Sequence, residues 1–502
     1  LISLAAINSL ADMEPNEPLI PARVSSGLAG SKTIRGVRWP IAHSKFEAKI
    51  NTIRKDRVGF ASFQYPVALS VSLFARKHER RSAFWGFAPL KAESQTRETE
   101  AESDTQSEYS EEQIRQNFFL MGVLFALNHG VVTTPLAVST TLLQLDTATF
   151  GNGLLYVVTL VSSLLLGAPV VGQVGPKGGL TFGMLFYCLY IAFFAGSLYF
   201  TGQEWLFTAG SACGGLAAGV LWTAQGTYFA SSATQLSSGK SSDEATADLS
   251  GQFAFSYLLL EVLSKLGFSL LQTLGMEVWS IAAVYFLVAL LSLVLMQAWI
   301  YDLPSTASPA KPLDKALAAI SLWSDPVVWL LAPTNLSFGF CAAYMNGFVN
   351  ARFAAQELGQ ESVAFLGAVT ALTAAFLAKA YGPLSNKIGK GSVITLGAGC
   401  AVAIPVLTYG GCLGWGWSLL SLYFLQGSVR AVYESTNRAL FSDFFPGRSE
   451  GAFANCMLQS SLGFATCFFL QNSLSAEQLS GIIVALALST SLGYTFASNV
   501  RE

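Results

Sequence analysis

The sequence predicts an all-α polytopic membrane protein, with twelve crossing helices in two six-helix halves behind a polar leader. Three observations carry this. Hydrophobic residues make up 52% of the chain and charged ones 12%, against roughly 25% charged in soluble domains. The charges are concentrated before residue 117. Beyond it, stretches of about 20 mostly apolar residues, the length that crosses a bilayer, recur to the end of the chain.

The leader comes first. Residues 18–91 carry 14 Lys or Arg against the acids Glu47, Asp56 and Glu79, the composition of an organellar transit segment. The run SAFWGFAP at 82–89 resembles the leader motifs of complex plastids. A basic, disordered cytosolic tail is the alternative. Residues 93–112 reverse the sign, with eight acids and one Arg, as a solvated linker does. The expected units are a leader at 1–112, one half at 113–300, a central loop at 301–325 and a second half at 326–502.

Twelve spans are expected at approximately 117–140, 152–174, 179–200, 205–228, 250–273, 278–300, 326–348, 362–381, 392–410, 415–440, 451–471 and 479–498. The polar stretch 301–325, with Pro304, Pro309, Lys311, Pro312, Asp314 and Lys315, divides them six and six. The halves repeat. At an offset of 214, PVVGQVGPKGGLTFG (169–183) aligns with PLSNKIGKGSVITLG (383–397), superposing Pro169 on Pro383, Gly175 on Gly389 and Gly183 on Gly397. At an offset of 212, VLWTAQGTYF (220–229) aligns with VYESTNRALF (432–441) and sets Gln225 on Asn437. This is the plan of parallel-repeat transporters, whose cavity lies between the halves.

Loop charge predicts sidedness. Lys177, Lys240, Lys311, Lys315, Lys387, Lys390, Arg448 and Arg501 fall on the side that holds both termini, and Arg352 on the other. By the positive-inside rule the termini face the cytosol, or the stroma in a plastid.

A charge inside a span costs roughly 2.5–3.5 kcal/mol on insertion scales, so each one needs a reason. In the tenth span Arg430, Glu434 and Arg438 stand at i, i+4 and i+8, which predicts one helical face of alternating sign. In the fifth, Glu261 and Lys265 form an i, i+4 pair. They form either a polar pathway or a clasp between helices. Asn128 and His129 in the first span and Asn346 in the seventh are candidate cavity-lining residues. His129 could serve a proton step or simply donate to a neighbouring helix. Asn335, Asn455 and Gln459 read in the same way.

The fourth span places Gly210, Gly214, Gly215 and Gly219 in overlapping G-x-x-x-G pairs, a close-packing face. It ends in Trp222, Gln225, Gly226 and Tyr228. The aromatics suit an interfacial anchor, and the repeat suggests that the amides of Gln225 and Asn437 face each other.

Other chemistries find little support. The seven cysteines (Cys188, Cys213, Cys341, Cys400, Cys412, Cys456, Cys467) lie in or beside apolar runs without a C-x-x-C pair, as small buried hydrophobes do. The chain has three histidines, too few for a His/Cys metal site to be expected. PKGG at 176–179 has no Walker pattern. No catalytic set, cofactor or metal site, or nucleic-acid-reading module is expected. The lipid bilayer is the expected partner.

With these residues in place, the chain resembles the major facilitator superfamily. Its second-half loop GPLSNKIGK (382–390) is similar to the signature loop through Gly382, Leu384, Lys387, Gly389 and Lys390. Asn386 stands where that loop has Asp. The first-half copy keeps Gly175 and Lys177 but has Gly172 in place of the acid. AAGVLWTAQGTYF, with Trp222, Gln225, Gly226 and Tyr228, resembles the uncoordinated-ninety-three-like branch, the ion channel regulatory proteins. The resemblance implies a twelve-helix facilitator fold, and either transport of a small solute or ion or a non-transporting role beside another membrane protein such as a potassium channel. It also implies that the absent loop acids weaken the standard gate.

Overall fold

The computed structural model describes residues 109–236, 242–303, 312–446 and 448–501. The leader motifs and Lys240 lie outside them. Among the described residues the secondary structure is helical throughout.

The first half contains α1 (Glu111–Leu142), α2 (Leu145–Leu165), α3 (Gly167–Tyr199), α4 (Trp205–Leu236), α5 (Ser242–Thr273) and α6 (Val278–Trp299). A short helix, α7 (Pro312–Ser321), follows. The second half contains α8 (Pro326–Leu358), α9 (Gln360–Ile388), α10 (Lys390–Thr408), α11 (420–444), α12 (Ser449–Leu470) and α13 (Ala476–Arg501). Among the described residues, eleven helices are long and apolar enough to cross a membrane. The twelfth crossing, α11, is broken by a π-helical stretch at Tyr433–Asn437 and carries Arg430, Glu434 and Arg438, which keeps it out of that set.

Local sequence explains the ends and bends. Ser110 caps α1, accepting from the Gln113 N–H while the Gln113 side chain accepts from the Ser110 N–H, a reciprocal capping box. Asp325 caps α8 through the Val327 N–H, with Pro326 in the first turn, where its missing N–H costs nothing. Gly175 inside α3 has φ +77°, and Gly389 between α9 and α10 has φ +86°. These are the two residues the repeat superposes. Each turns the chain sharply between the second and third crossings of its half, in a conformation that only glycine adopts without strain.

The glycines of α4 pack as expected, on two neighbours. A methyl on Gly215 would collide with the carbonyl oxygen of Leu155, and one on Gly219 with the backbone of Ser163, both on α2. One on Gly210 would collide with Phe193, and one on Gly214 would crowd Tyr190, both on α3. The small residues let three backbones approach closely, which offsets the lack of a hydrophobic drive between helices in lipid.

The halves meet through α1 with the far part of α8, α2 with α12, and α5 with α9. Among the described residues, the hydrogen bonds between them, apart from those of buried charges, cluster at the end opposite the termini. Thr140 donates to the Asn346 carbonyl at 2.7 Å, Asn350 to the Ala137 carbonyl at 2.9 Å, Gln360 to the Thr141 carbonyl at 2.8 Å and Asn472 to Thr149 Oγ1 at 2.5 Å. Glycines there are jammed, Gly153 against Phe469 and Gly347 against Gln471. At the terminus end, Gly172, Gly226, Gly251 and Gly382 face open space. These bonds close the far end, and the terminus end, which holds none of them among the described residues, is the open end.

Inside the stretch expected to be a loop, α7 docks on α12. The Asn455 side chain donates to the Ala319 carbonyl at 2.9 Å and accepts from Trp323 Nε1 at 2.8 Å. A few polar anchors on α12 are enough to order this segment as a helix.

Candidate functional site

The two charged clusters seen separately in the sequence form one network in space. Glu261 is midway along the apolar span Leu249–Thr273 of α5 and is buried. Arg430 of α11 donates to it through both terminal nitrogens, Nη1 to Oε1 at 2.8 Å and Nη2 to Oε2 at 2.7 Å. Arg430 Nε donates to Glu434 Oε1 at 2.8 Å. Lys265, one turn along α5, also pairs with Glu261, and its stem runs past Gly367 of α9. Two carboxylates and two cations thus balance at mid-membrane and bind the halves together. The fork-to-fork geometry is the strongest kind of ion pair, and mutual pairing is what lets charges sit at this depth.

Arg438 does not join this network, contrary to the predicted ladder. It is exposed, its guanidinium lies 6.0 Å from the Tyr433 ring centre, and no ion pair links it to Glu434 among the described residues. The π-helical stretch is the reason. Its wider turn rotates the position four residues on away from the face that Arg430 and Glu434 share.

His129 occupies an aromatic enclosure. Its ring centre lies 5.3 Å from Tyr257, 5.4 Å from Trp222, 5.7 Å from Tyr187 and 5.8 Å from Phe125. The Tyr257 hydroxyl is 3.4 Å from its Nε2. Nδ1 is buried with no hydrogen-bond partner among the described residues. Tyr257 stands one turn before Glu261 on α5, so a polar line runs from His129 through Tyr257 to Glu261 and Arg430. The sequence reading missed Tyr257. Extending the i, i+4 spacing of Glu261 and Lys265 back one turn would have found it.

A second set of side chains closes the roof. Tyr156 of α2 stacks on Phe464 of α12 at 4.1 Å and 8° across the halves, and Phe338 stacks on Tyr433 at 3.9 Å and 10°.

Other expected residues fall elsewhere. Asn128 turns into its own half, donating to the Ala289 carbonyl at 3.1 Å. It does not line the cavity, because it sits about 100° around the helix from His129. Asn346 is half-buried at the far end, where its carbonyl accepts from Thr140. The amides of Gln225 and Asn437 are not joined by a hydrogen bond. Asn437 is fully buried and donates to Asn335 Oδ1 at 2.7 Å, while Asn335 donates to Gln459 Oε1 at 2.7 Å. This amide chain ties α11, α8 and α12 within one half. Gln225 stays half-buried at the open end.

The W-x-x-Q-G-x-Y end of α4 divides its work. Trp222 forms one wall of the His129 enclosure. The Tyr228 hydroxyl accepts from Asn117 Nδ2 at 2.6 Å and donates to the Tyr301 carbonyl at 2.9 Å, and the Tyr301 N–H donates to Asn117 Oδ1 at 2.9 Å. That closed triangle fastens the start of α1, the end of α4 and the exit of α6. Gly226 is exposed.

In the loops, Lys390 pairs with Asp443 near the end of α11. Gly382, Asn386 and Lys387 are exposed. Lys177 is beside Gly175, and a methyl on Gly175 would approach the Asp302 carboxylate at 3.8 Å.

Comparison with known proteins shows what the chain is similar to. Residues 148–297, spanning α2 to α6, match the family model described as "Ion channel regulatory protein UNC-93". Protein unc-93 homolog A of Bos taurus is 24% identical over 402 residues, 68% of this chain and 84% of that protein. The Danio rerio protein of the same name is 27% identical over 189 residues, 36% of this chain and 40% of its own length. Among solved structures, an auto-inhibited POT family peptide transporter aligns with TM-score 0.58 at 13% identity, over 77% of this chain and 97% of its own. The inward-open E. coli xylose transporter XylE aligns with TM-score 0.55 at 14% identity, over 77% and 96%. Those structures share the fold. The chain is a multi-pass membrane protein with the fold of those transporters, and residues 148–297 of its first half are similar to the UNC-93 family.

Proposed function

We propose that the protein is a facilitator-type transporter of a small solute or ion, not an enzyme, and that the Glu261–Arg430 network is the lock of its pathway. One observation carries the reading. A buried, charge-balanced cluster crosses between the halves at mid-membrane, below the hydrogen-bonded far end. A clasp that only stabilised the bundle would be made more cheaply from apolar side chains of similar volume. Moving the halves apart must break this pair, and a solute or ion that offers replacement charge would ease that step. Arg430, Glu434, Glu261 and Lys265 are the core of the proposed pathway, with Tyr257 and His129 beside it. The open end is proposed to face the cytosol, or the stroma if the membrane is a plastid's.

A second reading has its own support. Both signature loops lack the acid, with Gly172 and Asn386 in its places, and the matching family is described as ion channel regulatory. A non-transporting subunit beside another membrane protein such as a channel fits both facts.

Native mass after mild extraction from the source membrane separates the two. A particle of one chain plus detergent supports transport. A discrete assembly with another membrane protein supports the subunit reading and identifies the partner.

A further inference from the structure

The ion-pair network leaves one of its groups incompletely used. Arg430 commits three N–H groups to two carboxylates. Lys265 is enclosed between α5 and α9, with its side chain 7% exposed. Glu261, at 2%, is held by Arg430 and Lys265. Glu434 differs. Its side chain is the most exposed of the four at 22%. Its Oε1 accepts from Arg430, and Oε2 accepts nothing among the described residues. Both cations are therefore covered by acid, and the most exposed group of the network is a carboxylate.

Aromatic surface lies along the same network. Tyr257 stands one turn before Glu261 on α5, and Arg430 joins Glu261 to Glu434. The Tyr257 ring centre is 5.6 Å from that of Trp222 and 6.1 Å from that of Phe253. All three rings are half-buried. Arg438, the nearest further cation on α11, is drawn aside over Tyr433.

A carboxylate beside exposed aromatic faces attracts cations, by charge at one end and through the ring quadrupoles at the other. We infer that Glu434, with Trp222, Tyr257 and Phe253, forms a binding site for a monovalent organic cation, an ammonium group on a small apolar body. The inference rests on the transport reading above and gives its substrate a chemical class. The ammonium would sit at Glu434 Oε2 and weaken its hold on Arg430 Nε, which loosens the lock between the halves.

Two measurements on the full chain test this. Radiolabelled tetraethylammonium binding to the solubilised protein reads the site, and uptake into proteoliposomes reads transport, with p-aminohippurate as the anionic probe. Saturable binding of tetraethylammonium is expected. Glu434→Gln, whose amide oxygen can still accept from Arg430, should weaken it roughly tenfold or more, Glu434→Asp less, and Trp222→Leu should weaken it too. Saturable p-aminohippurate binding without tetraethylammonium binding would overturn the inference, and uptake of that anion would leave the transport reading standing. Unchanged tetraethylammonium affinity in Glu434→Gln would also overturn it. Binding that depends on Glu434 without uptake of either probe would uphold the cation site and remove transport.

Discussion

Glu261, at the middle of α5, and Arg430, on α11, are joined by two parallel hydrogen bonds of 2.8 and 2.7 Å that cross from one half of the protein to the other. Nothing else in the described core places opposite charges so deep. Its consequences can be measured.

Removing one partner should cost more than removing both. Glu261→Gln leaves Arg430 with Glu434 alone and buried Lys265 without its acid, a loss of about 3–5 kcal/mol for a broken buried pair. Adding Lys265→Met, which restores the charge balance, should recover part of it. Thermal unfolding in detergent checks this. A double variant as unstable as Glu261→Gln would contradict it.

The α4 glycines should separate by position. Gly219→Ala drives a methyl into the Ser163 backbone on α2, and overpacking of this kind costs about 1–3 kcal/mol. Gly226→Ala, in the same helix but facing open space, should be neutral or stabilising by up to about 1 kcal/mol. Melting temperatures of the two variants should therefore move in different directions, or only the first should fall.

Gly175→Ala and Gly389→Ala should cost similar amounts, about 1–2 kcal/mol each, because both need the left-handed backbone. Matched losses would make the repeat energetic as well as geometric. A loss confined to one half would contradict the equivalence.

Tyr228→Phe removes an acceptor from Asn117 and a donor from the Tyr301 carbonyl. Leaving buried groups unpaired costs about 1–3 kcal/mol. Hydrogen exchange at the Tyr301 amide, which donates to Asn117, should speed up ahead of global unfolding. Unchanged protection there would mean that the triangle does not fasten the α6 exit.

Much of the fold was legible in the sequence, because lipid allows few structures. Apolar length marked the crossings, and the shared Gly175 and Gly389 marked the repeat. The Glu261–Lys265 and Arg430–Glu434 pairs were legible from their i, i+4 spacing. Their meeting was not, since it depends on how α5 and α11 approach each other, which no local spacing encodes. Arg438 misled because the spacing rule assumes an unbroken α-helix, and Tyr433–Asn437 is π-helical. Asn128 misled because polarity alone does not say which side of a helix faces the cavity. Lys379, exposed on α9, was passed over among apolar neighbours.

The central claim is that the Glu261–Arg430 pair locks the halves together and that its release lets them move. Pulsed electron resonance between spin labels at positions 226 and 382, on opposite halves of the open end, tests it most directly. Bioorthogonal attachment leaves the native cysteines in place. The account predicts a long distance that matches the open end and a shorter one for its closure, with the balance moved by Glu261→Gln. A single distance, unchanged by that substitution, would contradict it.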